Sequence, residues 1–117
     1  MSELPILDPQ PLQDLLDLGA ETGLVQELIA LYVEDVPPRI QAVQEGLVTG
    51  DLAKILMEAH QMKGALSNLG LVRFADLAAR IEGEARAGRL EEAPAIIPTL
   101  ASAYDEALAA MNQAFPS

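Results

Sequence analysis

The stretch "GDLAKILMEAHQMKGALSNLG", residues 50–70, carries the clearest periodic pattern in the chain. Asp51 stands where an N-cap residue would begin a helix, and Gly70 stands where glycine commonly ends one. Between them apolar residues recur every three or four positions, at Leu52, Ile55, Leu56, Ala59, Met62, Leu66 and Leu69. This spacing predicts an amphipathic helix over residues 52–69 with one face turned to a core.

A short helix is predicted over residues 12–18, ended by Gly19, and apolar residues repeat at the same helical spacing in three further segments, residues 25–50, 71–87 and 90–115. Pro37 and Pro38 interrupt the segment of residues 25–50, which predicts either a new helix starting there or one kinked helix. Pro98 predicts that the last helix is kinked or begins later, because proline is poorly tolerated inside a helix.

No segment alternates between apolar and polar residues over a useful length, and the predicted connections are short. Short connections make neighbouring helices antiparallel. We therefore predict an all-α fold, an antiparallel up-down four-helix bundle with a short extra N-terminal helix. Residues 1–11 would form an N-terminal lead-in, and residues 12–115 a single bundle domain.

Composition excludes several classes of function. The 117 residues suit one domain, and the absence of cysteine excludes disulfides and thiolate zinc sites. A single histidine argues against a His-rich metal site, and the net charge of −11 argues against nucleic acid as a partner. No apolar run reaches membrane-spanning length, and the start "MSELPILDPQ" is unlike a signal peptide. We expect a cytoplasmic monomer with no membrane association.

The charge is unevenly distributed. Residues 51–88 contain five basic and five acidic residues, so the rest of the chain carries the whole excess of negative charge. One interpretation is an acidic surface that serves solubility. The other is that the segment around the histidine stays neutral because it meets an anion or an acidic partner.

His60 is the only histidine. At about 100° per residue, it falls on the shoulder of the apolar stripe, where a ring can be half buried with one nitrogen exposed. Lys63 and Gly64 follow it by one helical turn, and glycine there weakens a helix by about 1 kcal/mol relative to alanine. Gly64 would clear space beside the ring, and Lys63 would hold a positive charge near that space. This arrangement suits acceptance of an anionic group, with phosphoryl the obvious candidate.

Each residue also has a plainer interpretation. A lone histidine on a bundle is often structural, Gly64 could mark a close helix crossing, and Lys63 could be a solvated charge. Only their joint occurrence in this register favours a functional site.

The segment "AHQMKGALSNLG", residues 59–70, resembles the signature of histidine phosphotransfer (HPt) domains, which reads His, any residue, Leu, Lys, Gly, Ser, then Gly about ten residues past the histidine. Met62 stands for the usual leucine, and Ala65 replaces the usual serine and removes a hydroxyl. The resemblance covers about residues 8–115. The residues that match in place are His60, Lys63, Gly64 and Gly70.

The resemblance implies a helical bundle with His60 as an exposed phosphoryl acceptor, attacking through Nε2. It implies that Glu82, on the following helix, accepts a hydrogen bond from Nδ1–H. The alternative for Glu82 is an ordinary surface acid with Arg86 as its i+4 partner. Lys63 would balance the phosphate charge.

The resemblance also implies a phosphorelay carrier that exchanges a phosphoryl group with response-regulator receiver domains and a sensor histidine kinase. Such a carrier is not an enzyme and needs no cofactor, because the partner's acidic pocket supplies Mg²⁺. An apolar docking patch is expected from Ala53, Leu56 and Met57, with Gln61 and Ser67 as polar contacts. One alternative is a bundle that binds a receiver domain without transferring phosphate, and another is a bundle that holds an apolar ligand between its helices.

Overall fold

The computed structural model describes residues 4–19 and 22–116, with the backbone alone for Thr22. Every regular element in these residues is helical, which confirms the predicted all-α bundle. A 3₁₀ turn at Ile97–Thr99 joins the last two of the helices, which are α1 Gln10–Asp17, α2 Thr22–Thr49, α3 Leu52–Asn68, α4 Val72–Ala87, α5 Ala93–Ile96 and α6 Leu100–Ala114. No helix in this described part of the chain is long and apolar enough to cross a membrane.

The four long helices α2, α3, α4 and α6 enclose one core. Helix α3 packs against α4 and α2, and α6 packs against α2 and α4. Within the predicted stripe of α3, the middle positions Ile55, Ala59, Met62 and Leu66 are fully buried. Leu52, Leu56 and Leu69 are only half buried.

Helix α2 runs without a break through Pro37 and Pro38, so the prediction of a separate second segment is wrong. Proline has no N–H, so the carbonyl oxygens four residues earlier, on Val33 and Glu34, lose their usual donors. Both of these residues are exposed, which lets water bond their carbonyl oxygens. The buried stripe continues beyond the prolines with Ile40, and this packing holds the helix together.

The last predicted helix, residues 90–115, is divided, and the main helix α6 begins only at Leu100. Pro94 lies in the first turn of α5 and Pro98 in the 3₁₀ turn, positions where a missing N–H costs little. The Glu84 carboxylate anchors this connection by accepting hydrogen bonds from backbone N–H groups of residues 91–93.

Helix α1 begins at Gln10 rather than near Leu12, so the predicted lead-in of residues 1–11 already contains the first two residues of the helix. Residues 1–3 of that lead-in lie outside the described residues.

The segment before α1 crosses the turn between α3 and α4. The Asp8 N–H donates to the Gly70 carbonyl oxygen at 2.8 Å, and the Arg73 N–H donates to Pro5 O at 3.1 Å. The Arg73 guanidinium also donates to Leu4 O from Nε and Nη2. Gly70 has φ +78°, and a Cβ there would collide with the carbonyl oxygen of Asp8. Gly70 is therefore glycine both for its left-handed backbone and for the close crossing.

Candidate functional site

His60 lies on the outer face of α3, with 57% of its side chain exposed. Its Nδ1 lies 2.6 Å from Oε2 of Glu82 on α4. A carboxylate can only accept, so Nδ1 carries a proton, and in the neutral ring Nε2 therefore keeps its lone pair. Among the described residues, no hydrogen bond reaches Nε2. The Glu82 carboxylate thus orients the ring, while Nε2 remains available to form a bond.

The Glu82 carboxylate is buried, with 6% of its side chain exposed, and three groups bond to it. Oε2 accepts from His60 and, at 2.9 Å, from Nη2 of Arg86, while Oε1 lies 2.6 Å from Nζ of Lys63. The hydrogen bond from Lys63 is the main reason that the pKa of Glu82 falls to about 2, although burial acts in the opposite direction. Glu82 is therefore ionised at neutral pH and has no proton to give to the ring.

This burial rules out the interpretation of Glu82 as an ordinary surface acid, although the Arg86 contact named with it is present. Sequence reasoning placed Arg86 only in that alternative. The structure brings Arg86 and His60 to the same carboxylate oxygen. The i+4 spacing of Glu82 and Arg86 predicted that the two residues touch. The burial of Glu82 is what makes this contact part of the site.

Lys63 and Gly64 occupy opposite flanks of the ring. The Lys63 ammonium lies on the α4 side and contacts Glu82 rather than standing free beside the approach. Apart from its chain neighbours and the backbone of its own helix, a Cβ on Gly64 would meet no atom within 4 Å. This open space excludes a close helix crossing as the reason for Gly64, and it leaves that flank of His60 uncovered.

The uncovered flank opens into a groove of about 380 Å³ between α2 and α3. Its polar lining, besides His60, consists of Asp35, Arg39, Gln61 and Asn68. Ala65, at the position of the usual serine, also lines the groove. Sequence reasoning missed Asp35, Arg39 and Asn68. The i, i+4 charge pair on α2 was visible, but which side of α2 faces α3 is set by packing.

The three apolar docking candidates lie on the same side of α3 as the ring. Ala53 and Met57 are exposed, Met57 to 60%, and Leu56 is half buried. They precede His60 by seven, three and four residues, spacings that place them along one helical face. The structure therefore brings these residues together with His60.

The two polar candidates are separated by the ring. Gln61 faces the groove between α2 and α3. Ser67 lines a second groove, of about 360 Å³, together with Lys63 and residues of α4. Their roles as contacts of a partner stay predictions.

Comparison with known proteins places this arrangement in a family. The model of the Hpt domain matches residues 27–114, which include His60 and Glu82. The chain belongs to the Hpt domain family. It is also similar to the crystal structure of histidine-containing phosphotransfer protein B (HptB) from Pseudomonas aeruginosa PAO1, with a TM-score of 0.83, 28% sequence identity and 96% of each chain covered. A search of curated proteins found no match.

The chemistry open to this Hpt domain follows from its imidazole. A neutral ring with Nδ1–H held by a carboxylate presents Nε2 as a nucleophile. Within residues 4–19 and 22–116, no three histidine, aspartate or glutamate side chains are placed to hold a metal ion. The buried carboxylate of Glu82 is already engaged by three donors, His60, Lys63 and Arg86.

Proposed function

We propose that this Hpt domain is a phosphorelay carrier that takes up a phosphoryl group on Nε2 of His60. The observation that supports it best is the 2.6 Å contact between His60 Nδ1 and the buried Glu82 carboxylate, with the ring itself exposed. Hpt domains are carriers rather than kinases, and His60 is the only histidine that this chain offers.

The transfer step forms one bond to phosphorus and breaks another. The lone pair of Nε2 forms a bond to phosphorus, and the bond from phosphorus to the oxygen of a receiver's aspartyl phosphate breaks, which releases the aspartate carboxylate. The ring becomes positively charged and keeps its Nδ1 proton. Glu82 accepts that hydrogen bond and stabilises the charge as it develops. Transfer to a second receiver aspartate is the same step in reverse.

The partners in this proposal are response-regulator receiver domains and a sensor histidine kinase. A receiver's acidic pocket supplies the Mg²⁺, so the carrier needs no cofactor of its own. The neutral balance of residues 51–88 suits approach to such a pocket better than the acidic remainder of the chain. Ala53, Leu56 and Met57 would provide apolar contacts beside the transferred group.

Incubation with a phosphorylated receiver domain tests the proposal. We expect a label that is labile in acid and stable in base on the wild-type chain, and none on His60→Gln. Since no other histidine exists, equal labelling of that variant would contradict the proposal. If the wild type binds the receiver but takes no label, the domain is a binding-only module.

A further inference from the structure

The two flanks of His60 present different charges to a group bound at Nε2. At about 100° per residue, Lys63 lies about 60° to one side of His60 on the helix and Gly64 about 40° to the other. Lys63 is engaged with Glu82 on the α4 side. The open side is therefore the Gly64 side, and the cation that lines its groove is Arg39 of α2.

Arg39 is held in a defined place and remains accessible. Its Nη1 donates to Oε1 of Glu58 at 2.9 Å, with 37% of the Arg39 side chain and 14% of the Glu58 side chain exposed. That is the one hydrogen bond that the described residues give this guanidinium. A guanidinium has five N–H donors, so Arg39 can keep its contact with Glu58 and still bind an anion.

We propose that Arg39 binds the phosphoryl oxygens of phosphorylated His60 across the space that Gly64 leaves open. This inference rests on the proposed function, and it assigns to Arg39 the charge-balancing role that sequence reasoning gave to Lys63. Planar guanidinium groups suit phosphate oxygens because two N–H donors can bind together.

Asp35 lines the same groove and carries the opposite charge. It stands one helical turn before Arg39, so its carboxylate would repel the phosphoryl dianion that Arg39 attracts. Replacing Arg39 and replacing Asp35 by neutral residues should therefore change the rate of phosphorylation in opposite directions.

Phosphoramidate, a small phosphoryl donor, tests this without a protein partner. We expect Arg39→Gln to slow phosphorylation of His60 by roughly threefold or more, and Asp35→Asn to speed it. Arg39→Lys should keep part of the rate because it keeps the charge. The matched control is Arg80→Gln, which removes an exposed arginine on α4 that pairs with Asp76 and lies outside the groove.

Phosphorus NMR gives a second readout that loss of folding would not imitate. A guanidinium beside the phosphoryl group favours its doubly charged form, so the phosphoryl titration midpoint should lie at higher pH in Arg39→Gln than in the wild type. Wild-type rates and an unchanged midpoint in Arg39→Gln, with phosphohistidine still forming, would overturn this inference alone. A wild-type chain that forms no phosphohistidine with any donor would overturn the proposed function and this inference together.

Discussion

Nδ1 of His60 on α3 and Oε2 of Glu82 on α4 lie 2.6 Å apart, although one side chain is mostly exposed and the other is buried. The carboxylate is held in place by the interior of the bundle and by Lys63 and Arg86. The orientation of the exposed ring is therefore set by a buried group.

The Glu82 contact should determine which nitrogen of His60 carries the proton. In Glu82→Ala the Nδ1–H loses its acceptor, so the Nδ1–H tautomer should become less populated. Glu82→Gln is the matched control, because its amide oxygen can still accept from Nδ1–H. Nitrogen NMR shifts of the ring measure the tautomer. If Glu82→Ala and the wild type show the same tautomer balance, the contact does not determine which ring nitrogen carries the proton.

Replacing Gly64 should separate stability from transfer. Gly64→Ala should stabilise the fold by up to about 1 kcal/mol, because helical alanine is favoured and its Cβ meets open space. Gly64→Leu should slow phosphoryl transfer strongly by covering the approach to His60. Gly83 on α4 is a matched control, since it is also an exposed helical glycine with open space around a Cβ.

Urea unfolding and transfer assays on the alanine and leucine variants at both positions would check this. The alanine variants should gain similar stability, and only the leucine at position 64 should impair transfer. Normal transfer by Gly64→Leu would contradict the inference that Gly64 keeps the approach to His60 open.

Gly70 should be less replaceable than Gly88, although both have left-handed backbones with φ near +80°. A left-handed conformation costs a non-glycine residue about 1–2 kcal/mol, and Gly88→Ala should lose about that much. Gly70→Ala should lose more, because its Cβ also meets the Asp8 carbonyl oxygen, whereas a Cβ on Gly88 meets no atom within 4 Å. Chemical denaturation of the two variants measures the difference. Equal losses would mean that the segment before α1 moves away freely.

The free energy of unfolding should change with pH as Glu82 is protonated. Its pKa is lowered from 4.5 to about 2 in the folded chain, mainly by Lys63, so the folded state favours the ionised form. The sign follows from linkage: this stabilisation is complete above about pH 4.5 and declines as the pH falls toward 2. The wild type should therefore lose its advantage in unfolding free energy over Glu82→Gln across that interval. Comparing the two chains cancels the titration of the other acids, and a constant difference from pH 6 to pH 2 would contradict the prediction.

Much of the architecture could be predicted from periodicity. The helix of residues 52–68 and the helix that ends before Gly88 lie close to their predicted bounds, because each has a continuous apolar stripe and a clear end signal. The proline-containing segments were less predictable. Pro37 and Pro38 lie inside α2, and the residues whose carbonyl oxygens they leave without donors are exposed, which is a tertiary property. Pro98, in contrast, marks a real interruption before α6.

The residues of the candidate site also differ in whether the sequence alone could place them. His60, Lys63 and Gly64 are close in sequence, so one helix and its known period place them together, and the motif makes them recognisable. Tertiary packing alone sets the burial of Glu82, the capture of Lys63 by that carboxylate and the presence of Arg39 in the groove. The physical reason is that local spacing sets positions around one helix axis, whereas the rotation of neighbouring helices depends on how all their apolar stripes pack together.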